Sequence, residues 1–322
     1  MSEHTVSIIM YHYVRDLKNS RYPGIKGLDL RLFRQQIEFL EQNFNCISSE
    51  QLLEASASKT SLPERAALLT FDDGYIDHYT NVFPILEENG IKGFFSMPAK
   101  IIQEQTVLDV NKIHYILASG SIGDLLGALY KKLDFYRGKE FDFPSNSELY
   151  DALAKANRFD DADTIFIKRV LQAELSERVR NRITQELFSE FVCADEAAFA
   201  SELYMSYDQI KLMKRAGMHF GFHGYEHYWF ERLSEEQYVQ EIRQAREVFF
   251  DVIDWDNWIF CYPYGSYSES LIRYCASMGC KAGFTTVART ADLIKDHPLC
   301  LPRFDTNDFP PKSDRYRDFI SA

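Results

Sequence analysis

The chain has 322 residues, 46% hydrophobic and 26% charged, which are globular proportions with length enough for one large core or two smaller ones. A formal net charge of −12 lacks the basic footprint that a phosphate backbone or an anionic lipid surface requires, so it argues against nucleic acid as a partner. The start, MSEHTVSIIMYHYVRD, is acidic with an apolar run of only a few residues, and six cysteines are scattered without a CxxC pair. These features predict a first buried strand rather than a signal segment or membrane span, and a cytoplasmic protein with reduced thiols.

In chain order, VSIIM (residues 6–10) reads as a buried strand, followed by YHYV and a polar loop containing Pro23, Gly24 and Gly27. Asp29 can cap a helix in which Leu30, Phe33, Ile37, Leu40 and Phe44 recur at spacings of three and four and line one face. The apolar run 66–71 is the next strand, and it delivers Asp72 and Asp73 at its C-terminal end. Helical signals run through Val82, Ile85 and Leu86 to Gly90, with Pro84 near the first turn, and IKGFFSM (91–97) reads as a strand.

Residues 101–203 break this alternation with long helical patterns, among them Leu171, Leu175, Val179, Ile183, Leu187 and Phe191, and read as a helical insertion. Within it, DDAD (160–163) brings a calcium loop to mind. No glycine sits mid-loop, however, and Leu171 stands where a bidentate glutamate belongs, so a solvated helix start is the better reading. The insertion divides the chain into 1–100, 101–203 and 204–322, and is a candidate cover for a cleft or surface for a second copy.

Beyond it the alternation resumes. Ser206 with Gln209, and Ser234 with Gln237, are capping-box pairs ahead of two amphipathic helices. MHFGFH (218–223) and WIFCYPYG follow those helices as strands; a further helix (268–278) and short strands near 282–286 and 299–304 complete the series. Strand and helix in alternation predict a parallel sheet, open or closed into a barrel.

Parallel strands bring their C-terminal ends to one edge, where a site is to be sought. Those ends carry His12 in MYHYV, the pair Asp72 and Asp73 in TFDDGY, His223 and His227 in FHGYEH, and CYPYGSY. DDG alone reads as a turn, and two histidines alone as ordinary surface or core residues. Together, two imidazoles at i and i+4 plus one aspartate form a three-ligand set with open positions, suited to zinc or to divalent iron, cobalt or nickel. One of Asp72 and Asp73 would bind the ion, and the ion's charge lets the other stay ionised as a base.

With these motifs the sequence resembles the polysaccharide deacetylases, the NodB homology group or carbohydrate esterase family four. TFDDGY matches the first motif, HGYEH the second, and YPYG the core of the third, over residues 5–100 and 204–310. The resemblance implies a distorted (β/α) barrel and metal-dependent removal of acetyl groups, usually from N-acetylamino sugars. It implies Asp72 as general base, Asp73, His223 and His227 as ligands of one divalent ion, zinc first, and the Tyr264 backbone N–H as an oxyanion donor.

The chain departs from the family pattern twice. The late leucine-rich motif that supplies an acid histidine is absent, and His297 in LIKDHP stands in the wrong context. His12 is the expected acid, as in the branch with permuted barrel order. Cys261 stands where many relatives carry an arginine that orients the base, and Arg303 in LPRFD is the candidate replacement, against the plain reading of a surface arginine. Tyr225, Tyr228, Trp229 and Tyr267 are candidates for a sugar platform or for core packing. O-deacetylation and a catalytically silent glycan-binding barrel stay open as alternatives; no GxSxG stretch supports a serine hydrolase.

Overall fold

The computed structural model describes residues 3–320 apart from 140, 158 and 159. Two compact units emerge: Met1–Asp16, Gly27–Gln105 and Ser201–Ala322 form one, Leu17–Lys26 and Thr106–Ala200 the other.

The first unit is built on six parallel strands, β1 Thr5–Tyr11, β2 Ala66–Asp72, β3 Phe94–Met97, β4 His219–Phe222, β5 Ile259–Cys261 and β6 Ala282–Phe284, hydrogen-bonded in that order. β2 is buried at all seven positions, as its largely apolar sequence fits for a strand covered on both faces. The registers Tyr11↔Phe71, Asp72↔Ser96, Met97↔Phe222, Phe222↔Phe260 and Cys261↔Phe284 align the strand ends along one edge.

Alternation decides which residues face where. Ile9, Leu69, Phe71, Phe95 and Phe222 point to the outer helices, where they join Phe33, Ile37, Ile85, Ile210 and Ile242. Ile8, Leu68, Phe94, Ile259, Cys261 and Phe284 form a separate inner cluster. The same period of two places Thr70, Asp72 and Ser96 on that inner side, at the C-terminal edge.

The sheet curls, and residues 301–305 span the gap between its two ends. Leu301 bridges Phe284, while Phe304 and Asp305 (β7) pair with Ile9 and Met10 of β1. The strand expected over 299–304 is therefore a correction: Pro298–Cys300 is a 3-10 turn, and only Leu301 and residues 304–305 pair. Pro298 and Pro302 have no N–H to give a ladder. Arg303, between the two pairings, is swung to the inside and is 1% exposed.

The predicted caps are present. Asp29 accepts from Arg31 N–H, and Ser206/Gln209 and Ser234/Gln237 form reciprocal capping boxes on helices Tyr207–Arg215 and Glu235–Val248. Helix Ser49–Ser58 was not among the predicted elements, although Ser48 and Gln51 give it the same capping box. Before helix Phe83–Glu88 the chain makes a π-turn, His78–Val82, in which Phe83 N–H bonds to His78 O; Pro84 then follows with no N–H to offer.

The second unit is helical. Asp109–Ser119, Ile122–Tyr136 and Glu177–Phe191 bury Ile113, Ile116, Leu129, Leu133, Val179, Ile183 and Leu187. The apolar series beginning at Leu171 does not form one helix, because a π-turn at Val170–Glu174 and the Ser176 cap interrupt it. DDAD is a helix start: the Asp161 side chain accepts from Thr164 N–H at 2.8 Å, and Asp160 pairs with Lys168 at 2.7 Å and with Lys26. Among the described residues no helix is long and apolar enough to cross a membrane.

Candidate active site

The C-terminal edge of the sheet gathers Asp73, His223 and His227, all buried, with donor atoms within 4.8 Å of one another. Asp73 Oδ1 lies 3.3 Å from His223 Nε2 and 3.4 Å from His227 Nε2. Its two oxygens differ in kind: Oδ2 accepts the Tyr75 hydroxyl at 2.5 Å, whereas buried Oδ1 has no hydrogen bond. The tautomer of His223 is settled by its other nitrogen, since Nδ1–H donates to Cys261 O at 2.6 Å and leaves the Nε2 lone pair facing Asp73. A carboxylate oxygen without a donor, set against two imidazole nitrogens in a buried pocket, is a donor set that fits a divalent cation.

Charge in the trio agrees. Burial would raise the Asp73 carboxyl, but the facing imidazoles of His223 and His227 outweigh it and hold it well below the usual carboxylate range. Burial acts to lower His223, and Asp73 and Asp72 outweigh it and raise it; burial prevails at His227, which is lowered.

The backbone here is unusual. Asp73 (φ 77°), His227 (φ 62°) and Tyr264 (φ 59°) all occupy the left-handed region. For non-glycine residues that costs roughly 1–3 kcal/mol each, and such strain concentrates at functional sites.

Asp72, the neighbour, is satisfied on both oxygens. Arg303 grips it with two nitrogens, to Oδ1 at 3.0 Å and Oδ2 at 2.9 Å, and Ser96 Oγ donates to Oδ1 at 2.6 Å. The guanidinium is itself held by Thr285 O (3.0 Å) and Thr70 Oγ1 (3.1 Å), and its last contact is Cys261 Sγ (3.5 Å). Burial would raise Asp72, but the charges of Arg303, His223 and His12 keep it far below the ordinary value, so it is ionised throughout the physiological range. Burial, then Asp72, pushes the Cys261 thiol up, so it stays a neutral thiol.

His12 directly follows β1, half-buried, near enough for its charge to act on both aspartates. Its main chain is tied to the π-turn: His78 Nε2 donates to His12 O (3.0 Å), Asp77 Oδ2 accepts from Val14 N–H (3.2 Å) and Arg15 Nε (2.8 Å), and Asn81 donates to Val14 O (2.8 Å). His297 instead serves a local turn, its Nδ1 accepting from Leu299 N–H at 3.1 Å.

Tyr264 stacks on Trp229 (centroids 4.2 Å apart, planes 4° apart) and stands edge-on to His227 at 4.8 Å. Among the aromatic candidates, Trp229 is linked through Tyr264 to the pocket of Asp73, His223 and His227. Tyr225 is buried with its hydroxyl on Glu104 (2.8 Å), and Tyr267 packs on Tyr262. Sequence reasoning gave no role to Tyr75, Ser96, Asp77, His78 or Asn81. Ser96 carried a signal nonetheless, as a polar residue inside an apolar strand.

Comparisons with known proteins bear on the family and the fold. A sequence model of the polysaccharide deacetylases matches residues 59–122 and 183–283, half of the chain. The chain is 40% identical over 81 residues to the poly-beta-1,6-N-acetyl-D-glucosamine N-deacetylase of Escherichia coli strain K12, a match covering 24% of this chain and 12% of that protein's length. The Streptococcus pyogenes deacetylase PplD in complex with acetate has the same fold at a TM-score of 0.60 and 16% identity, covering 99% of both chains. IcaB from Ammonifex degensii does so at 0.54 and 18%, covering 99% of this chain and 98% of its own. The family model and the curled parallel sheet with its strand-end carboxylates and histidines lead to one assignment: this chain belongs to the polysaccharide deacetylase family.

Proposed function

We propose that the chain is a divalent-metal-dependent hydrolase that removes the acetyl group from an N-acetylamino sugar, whether free, nucleotide-linked or part of a glycan precursor. The observation that carries this is the donorless Oδ1 of Asp73 facing two imidazoles, beside an aspartate locked as an anion. A divalent ion held by Asp73, His223 and His227, zinc by preference with cobalt, nickel or iron as substitutes, supplies acidified water and a Lewis acid for the acetyl carbonyl. Asp72 accepts the proton of the attacking water. Arg303 and Ser96 lower its basicity but guarantee its charge and aim, so positioning supplies most of its effect. The Tyr264 N–H stabilises the oxyanion, and His12 protonates the departing amine, which leaves poorly otherwise.

With His12 read as the acid, the chain is assigned to the branch of permuted barrel order. Six free thiols favour a reducing compartment, the cytoplasm. We read residues 101–203 as an insertion between two parts of the barrel; the separate compaction of 106–200 with 17–26 supports that.

The test is metal analysis with acetate release from nucleotide sugars and short N-acetylated oligosaccharides. Metal in near-stoichiometric amount and acetate from N-acetyl substrates are expected. Protein that takes up no zinc, cobalt or nickel, or takes it up and never yields acetate, overturns the reading. Acetate from O-acetylated sugars alone makes it an esterase. Sugar affinity without turnover makes it a binding barrel, which would have no use for an ionised Asp72.

A further inference from the structure

Two of the three metal-pocket side chains sit at the ends of the five-residue loop HGYEH, so the distance between their imidazoles is set by that loop's backbone. The shape is one chains seldom adopt, with φ of 83° at Gly224 and 62° at His227. Gly224 brings no side chain with which to brace the loop from within. The bracing comes from elsewhere in the same unit. Gly224 O and Tyr225 O accept from Ala99 N–H (3.1 Å) and Lys100 N–H (3.2 Å). Tyr225 N–H and Glu226 N–H both donate to one oxygen of Glu241, at 2.7 and 3.0 Å. Lys100 Nζ reaches Glu226 at 2.7 Å on the outer side.

Glu241 lies on the apolar stripe of helix Glu235–Val248, in series with Tyr238, Ile242 and Ala245, and is 4% exposed. A carboxylate on such a stripe costs several kcal/mol of desolvation unless its partners compensate it, and main-chain N–H groups are strong compensation. A hydrocarbon side chain would fill the position without that penalty, so helix packing alone does not account for a carboxylate here.

We propose that Glu241 is a positioning residue for the metal centre: by holding consecutive N–H groups between His223 and His227 it fixes the spacing and aim of the two imidazoles. The inference rests on the metal reading given under Proposed function. It makes Glu241 a partner of the ligands' backbone, in the way outer partners of metal sites orient ligand side chains.

The experiment measures Zn²⁺ and Co²⁺ dissociation constants by chelator competition, with the visible spectrum of the Co²⁺ form, for the whole chain and for Glu241→Ala, Glu241→Gln and Lys100→Met. Glu241→Ala is expected to bind either ion roughly 10- to 100-fold more weakly with an altered Co²⁺ spectrum. Glu241→Gln, which keeps one acceptor oxygen, should fall between it and wild type, and Lys100→Met should stay within about threefold of wild type. Hydrogen exchange should show the Tyr225 and Glu226 amides losing protection in both Glu241 variants.

A merely structural role would lower the melting temperature and leave affinity and spectrum unchanged; that result in a folded Glu241→Ala overturns the proposal. If Glu241→Ala does not fold, near-isosteric Glu241→Gln with wild-type affinity and wild-type amide protection overturns it equally. Wild-type protein that binds neither ion defeats the parent reading, and this one with it.

Discussion

Asp72 and Asp73 are neighbours of one residue type, both buried, yet the structure treats them oppositely. Asp72 receives two guanidinium nitrogens and a serine hydroxyl, so every oxygen has a donor. Asp73 receives one phenol and is left with an oxygen facing only imidazole nitrogens. The difference arises from one step of backbone. Asp72 ends a strand and shares the inner face with Ser96 and Arg303, while Asp73 has turned into the left-handed region and leaves the sheet. A saturated carboxylate is a fixed charge; one left with an oxygen that lacks a donor, beside two imidazoles, is suited to hold a cation.

Removing each carboxylate should break the pair in different ways. Asp73→Asn is expected to abolish metal retention and activity together, beyond the roughly 10- to 100-fold that loss of a mere supporting partner costs. Asp72→Asn should keep the metal and lose about 10²- to 10⁴-fold in kcat with little change in KM. Metal analysis beside kinetics reads both, and equal metal loss in the two variants would erase the distinction.

Arg303→Met sharpens the comparison from the other side, because it leaves Asp72 buried with its main counter-charge gone. Urea unfolding should show a loss of about 3–5 kcal/mol, part of which returns in the double variant Arg303→Met/Asp72→Asn. No recovery would mean that the arginine stabilises through packing rather than through the pair.

His12→Ala tests the acid. Metal content should be unchanged and amide cleavage should fall by about 10²-fold or more, while acetyl esters with good leaving groups suffer less. If His297→Ala shows that selectivity instead, the acid is misassigned.

The smallest effect concerns the support of His12. Burial lowers the His78 imidazole to about 4, so it is neutral in the fold while an unfolded chain would protonate it near 6.5. A base lowered on folding contributes stability that is complete above about pH 6.5 and is lost as pH falls towards 4, an amount on the order of 3 kcal/mol. Glu241, raised to about 7 by burial, acts with the opposite sign over part of that window. The comparison that isolates His78 is therefore wild type against His78→Phe, which keeps an aromatic ring among Phe71, Tyr75 and Phe95. The variant's stability should fall less steeply between pH 6.5 and 4, and parallel curves would show that His78 does not titrate this way.

Patterns that act within a few residues were legible before any coordinates. An apolar run ending in DD, two histidines four apart and serine–glutamine caps each specify local geometry, and parallel topology then puts the strand ends together. Local signals are weak or crowded elsewhere: helix Ser49–Ser58 has a capping box but little apolar periodicity, and the prolines flanking 299–301 make a turn and a bridge of an apolar stretch that reads as a strand.

By itself, then, the sequence determined the strand–helix alternation, the caps and the residue types offered at the C-terminal edge, because periodicity and capping are set by neighbours along the chain. Only the tertiary structure decided which partners those residues meet: Arg303 reaches Asp72 across 231 residues, His78 reaches His12 across 66, and Glu241 reaches the HGYEH loop from the buried stripe of a helix. Such pairings depend on how the sheet curls and on which side chains its closure drives out of water, and burial of that kind is a property of the assembled fold.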